Sequence, residues 1–98
     1  MKNYLTKYEY TGQNFDTLCE LGFDESDSFL TFKQALKLEG VTGKTMKGLK
    51  KAAVLMRMVS VEDEETGKLI KQPKYYAVFN AKDVLANLKK QEELQKVA

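Results

Sequence analysis

The sequence has no histidine, a single cysteine, a single proline and no long apolar run. Each absence excludes a class of chemistry. Without histidine the side chain best suited to moving protons near neutral pH is missing, so a Ser-His-Asp arrangement is excluded and the usual zinc-ligand sets cannot be assembled. Cys19 alone rules out an internal disulfide. Within Leu18-Cys19-Glu20-Leu21 it reads as a small core residue, because no imidazole exists to activate the thiol. No segment approaches the roughly 18 consecutive apolar residues of a membrane-spanning helix, and Met1-Lys2-Asn3-Tyr4 leads into no apolar stretch of a secretion signal. The expectation is a cytoplasmic protein with no membrane partner. No ligand cluster or phosphate-cradling Gly-rich loop is present, so neither a metal nor an organic cofactor is expected. With 98 residues, 43% of them apolar, residues 1–98 are expected to form one domain around one core.

Carboxylates are present in two runs, Asp24-Glu25-Ser26-Asp27 and Glu62-Asp63-Glu64-Glu65. Both lie in polar surroundings that read as solvated turns, and neither has the spacing of a calcium loop. Catalysis is therefore not expected. The net charge is only +2, but it is unevenly distributed. Glu9 to Asp27 holds six acidic residues and no Lys or Arg, whereas Gly40 to Ser60 holds five basic residues and no acid. The basic block fits either a footprint for nucleic acid or one half of an internally complementary surface.

Near the amino end, Tyr4, Tyr8 and Tyr10 suggest a short strand or extended arm before Thr11-Gly12. Phe15, Leu18, Cys19 and Leu21 recur at helical spacing, and Gly22 follows them, predicting a first helix; the acidic stretch from Asp24 to Ser28 reads as a loop. Thr31 and Gln34 have the spacing of a capping box, with Leu30 as a hydrophobic staple, so a helix of about two turns is predicted to run from there toward Gly40. Thr42 is placed to cap a further helix through Met46, Leu49, Ala52, Ala53 and Met56. Gly48 inside it costs roughly 1 kcal/mol relative to Ala. Val59 and Val61 alternate with polar residues, the run Glu64-Glu65-Thr66-Gly67-Lys68 has turn composition, and Leu69-Ile70 opens a return arm reaching Tyr75-Tyr76-Ala77-Val78-Phe79. This predicts a β-hairpin, with Pro73 at an edge or bulge. Asn80 is placed to cap a last helix with apolar positions Val84, Leu85, Leu88, Leu94 and Val97. That stripe either closes the core against the first helix or forms a homodimer contact.

The segment from Ala35 to Leu49, with its Gly40-Val41-Thr42 turn followed by Thr45-Met46 and Leu49, resembles the helix-turn-helix unit of DNA-binding regulators. Residues 32–57 followed by a hairpin resemble the winged variety. The resemblance implies an α+β fold, a small winged helix-turn-helix domain of three to four helices with a β-hairpin wing tipped near Thr66-Gly67-Lys68. It implies that Val41, Met46 and Leu49 pack between the two helices, and Leu36 departs from the small Ala usual at its position.

If Met46, Leu49 and Ala53 face the core, Lys44, Lys47 and Lys51 share the opposite helix face with Lys50 beside them. By resemblance, Thr42, Gly43, Lys44, Lys47 and Lys51 match exposed recognition-helix positions, with Lys68 and Lys71 on the wing. The partner so implied is double-stranded DNA, for a small transcriptional regulator or a replication or packaging accessory of a phage or other mobile element. Alternatively the same fold would present its acidic amino-terminal half or its lysine helix to a protein partner, as in a phage-type inhibitor of a host enzyme. The acidic run from Glu62 to Glu65 is poorly suited to a phosphate backbone.

Overall fold

The computed structural model describes residues 1–97, with side chains described through Glu93. Among these residues the chain has an α+β fold in the order β1 (Lys2–Asn3), α1 (Gly12–Glu20), β2 (Ser28–Leu30), α2 (Phe32–Ala35), α3 (Gly43–Met46), β3 (Ala53–Glu62), β4 (Leu69–Asn80) and α4 (Ala81–Val97). The strands form one mixed sheet in the order β1-β2-β4-β3. β1 runs parallel to β2, and both β2 and β3 run antiparallel to β4.

β2 organises the packing. Successive side chains on a strand point to opposite faces, and here Phe29 and Leu30, both fully buried, enter two different apolar clusters. Phe29 joins Met1, Tyr10, Leu18, Leu55 and Val78, with the rings of Tyr10 and Phe23 edge-on to it at centroid distances of 6.0 and 5.0 Å. Leu30 joins Ala35, Val41, Met46, Ala81 and Val84 on the other face. A three-residue strand is too short to show a period of two, which is why residues 24–28 read as a loop with nothing between them and the Thr31 cap.

α1 lies where its apolar spacing predicts, but Leu18 is its one fully buried residue among the described side chains. Cys19 is exposed, which corrects its reading as a core residue; the helix packs against β3. That contact is partly polar. Asn14 Nδ2 donates to the Met56 carbonyl at 2.8 Å, and its Oδ1 accepts from the Met56 amide at 2.9 Å. A side-chain amide thus stands in for a neighbouring strand on the outer edge of β3, where unpaired backbone groups would otherwise be open to solvent or to another chain.

The Thr31 capping box is present: the Gln34 amide donates to Thr31 Oγ1 at 3.2 Å and Thr31 N donates to Gln34 Oε1 at 3.1 Å. α2 is nevertheless a single turn, continued to Gly40 by tighter hydrogen bonds from Lys37 to Gln34 and from Leu38 to Ala35. Gly40, at φ +81°, turns the chain so that Val41 drops into the second cluster. Ala35 is the buried residue facing this seam and Leu36 is 41% exposed, so the bulky side chain does not hold the helices apart.

α3 differs most from expectation. It ends at Met46, Lys47 is already extended at ψ 129°, and Gly48 takes φ +86°. Ala53 and Met56, expected on this helix, belong to β3. The predicted seam residues Val41 and Met46 are buried and Leu49 packs against them half-buried, so these apolar positions reach the core as expected while the helix is much shorter than its periodicity suggests.

β3 and β4 form a ten-rung hairpin from Ala53↔Val78 to Glu62↔Leu69. Because Asn14 occupies both backbone groups of Met56, the even-numbered residues of β3 direct theirs away from β4. Pro73, opposite Met58, therefore sits at a rung where no N–H is required of it. Asn80 Oδ1 accepts from Lys82 N at 2.9 Å, the expected cap, and α4 follows. Through Val84 and Leu88, α4 closes over α3, β2 and β4, which replaces the expected contact with the first helix. The side chains of Leu94 and Val97 lie outside the described residues. Among the described residues no helix is long and apolar enough to cross a membrane.

Candidate nucleic-acid interface

Thr42, Gly43, Lys44, Lys47, Lys50, Lys51, Lys68 and Lys71 are all exposed. The first six form one continuous segment, but not one helix face. Lys44 lies on α3, Lys47 ends it, and Lys50 and Lys51 lie in the loop that leads into β3. The helical stripe of Lys44, Lys47 and Lys51 is thus replaced by a basic loop, because Gly48 turns the backbone between them.

The loop is anchored from below. Met46 is buried, Leu49 packs beside it, and the Asn87 side-chain amide on α4 donates to the Thr45 carbonyl. Thr42 N donates to Thr45 Oγ1 at 2.9 Å, fixing the start of the turn. Between these anchors the lysine side chains extend into solvent. The salt bridge found among the described residues joins Lys82 to Asp27 at 3.8 Å, away from this segment. Four lysines with no carboxylate partner among the described residues give a local positive potential.

The hairpin contributes less. Its turn, Asp63 to Lys68, is closed by Asp63, whose Oδ1 accepts from Glu65 N at 3.0 Å and whose Oδ2 accepts from Thr66 Oγ1 at 3.1 Å. Lys68 lies in this acidic turn, and Lys71 stands opposite Ser60 on the ladder. Neither is joined by the described contacts to the lysine loop.

A second basic region has no counterpart in the sequence pattern. A cleft of about 720 Å³ opens between the turn after β1, the start of α2 and one flank of the hairpin, and none of the eight residues above lines it. Asn3, buried, ties two of its walls together. Its Oδ1 accepts from Leu5 N and Thr6 N, both at 2.9 Å, and its Nδ2 donates to Gln34 Oε1 at 2.7 Å. Arg57 and Lys74 face each other across the ladder on the third wall. Burial pushes the phenol of Tyr10 above its ordinary range against the lowering effect of a hydrogen bond to Asn3, and burial raises Tyr76 against the lowering effect of Arg57. A like-charged pair opposed on a hairpin is the one signal the sequence carries, and it becomes visible only once the register is known. No protein-family model matches the chain, and no curated protein or solved structure matches it.

Proposed function

We propose that the chain is a DNA-binding protein of the winged helix-turn-helix kind, a small transcriptional regulator or a replication or packaging accessory of a phage or other mobile element. The observation that carries this reading is the anchored loop from Thr42 to Lys51, with four exposed lysines between α3 and the hairpin. The order α2, α3, hairpin, with β2 antiparallel to the return arm, supports the winged arrangement.

The length of α3 decides how such a protein would bind. Four residues rise only about 6 Å, too little to lay several side chains along a major groove. Contact is then chiefly between lysine ammonium groups and phosphates, with Thr42 and Gly43 allowing close approach. Phosphate contacts supply affinity with little sequence discrimination. Binding to random duplex DNA, measured at two salt concentrations, should weaken steeply as salt rises. An absence of binding at low salt contradicts the reading. The acidic hairpin turn, poorly suited to a phosphate backbone, favours the second reading, a protein-interaction module that presents its acidic amino-terminal half or its lysine segment to a protein partner, such as a phage-type inhibitor of a host enzyme.

A further inference from the structure

The cleft beside the hairpin combines flat rings and cations without a compensating acid. Among its lining residues are Lys33, Arg57 and Lys74, and no Asp or Glu. Arg57 and Lys74 are directly opposed on the ladder, an arrangement that is destabilising when nothing neutralises it. Tyr8 is 70% exposed and Phe32 44% exposed, so both rings present area to the opening, while Tyr76 forms part of the wall. The volume, about 720 Å³, falls within the range of small-molecule sites. We propose that this cleft binds the base–phosphate unit of an unpaired nucleotide, the base stacking on the rings of Tyr8 and Phe32 and the phosphate meeting Arg57, Lys74 and Lys33.

The chemistry favours this ligand over two others. A duplex keeps its base faces stacked inside the helix, where rings lining a recess cannot reach them, whereas an unpaired base offers its face freely. An extended peptide would be expected to add to the open edge of β4, which is free where β2 leaves the sheet after Leu30. That edge is interrupted at Pro73, only a few residues along. The site shares no residue with the lysine loop, so it stands independently of the duplex-binding reading.

The test uses the full chain and a fluorescently labelled oligothymidylate, with thymidine monophosphate as competitor. The strand should bind. Tyr8→Ala should weaken it on the order of tenfold, and Arg57→Gln and Lys74→Gln should each also flatten the slope of log affinity against log salt by about 0.7. Tyr8→Leu, which keeps the bulk but loses the ring, should behave as Tyr8→Ala does, separating stacking from packing. Competition by the monophosphate at comparable concentration assigns the site to free nucleotides; failure to compete, with strand binding retained, assigns it to a strand. A variant with Lys44, Lys47 and Lys51 all replaced by Ala should keep strand binding. The proposal is overturned if neither probe binds, if the cleft variants bind the strand as the parent does, or if only an acidic tyrosine-containing peptide binds and the same variants abolish that.

Discussion

A Cβ added at residue 48 would meet nothing within 4 Å, yet the backbone there lies at φ +86°. The environment is open and the conformation is the left-handed one that costs an L side chain on the order of 1 kcal/mol. Gly48→Ala should therefore lower stability by about that amount. Were the residue inside a helix, the same change would raise stability by about 1 kcal/mol. Thermal or urea unfolding of the variant reads the sign directly: a lowered midpoint fits a basic loop, and a raised one restores a long helix carrying Lys44, Lys47 and Lys51 on one face. Arg57 illustrates the opposite kind of residue. Its position on β3 is ordinary until register sets it against Lys74.

At the level of elements, what is legible in the sequence is what is held together locally. The Thr31–Gln34 box, the Asn80 cap and the hairpin are each fixed by residues close in sequence, and all three are present. The helix through Met56 fails for a physical reason. Met46, Leu49, Ala53 and Met56 fit a helical period, but Ala53 and Leu55 are buried around an exposed Val54, which is the alternation of a strand. Pairing with β4 decides between the two, and although the turn of the hairpin is local, the partners at this end of it, Ala53 with Val78 and Met56 with Tyr75, are far apart in sequence. The hairpin makes its own prediction. The turn's hydrogen bonds are local and exposed around Asp63, so inserting a few polar residues between Thr66 and Gly67 should leave the melting midpoint nearly unchanged, loop-closure entropy growing slowly with length. Global unfolding of that variant would mean the turn is packed against the rest of the chain.

For the whole molecule, the longest extent is 61 Å, and the outer hairpin from Arg57 to Lys74 is exposed over most of its length. Two basic regions result. The lysine loop is contiguous in sequence and legible there, although its geometry is not. The cleft draws on residues around 3–10, 31–34 and 57–79 and exists only once β1, β2 and β4 are aligned, so no local pattern announces it. Duplex binding by the lysine loop is tested most directly by replacing Lys44, Lys47 and Lys51 together with Ala. All three side chains are exposed, so the variant should melt as the parent does. With folding thus held constant, duplex affinity at low salt should drop and the slope of log affinity against log salt should become shallower by about one unit for each phosphate no longer engaged. Unchanged affinity with an unchanged slope would contradict the account and leave the lysine loop as a solvated surface or the contact for an acidic protein.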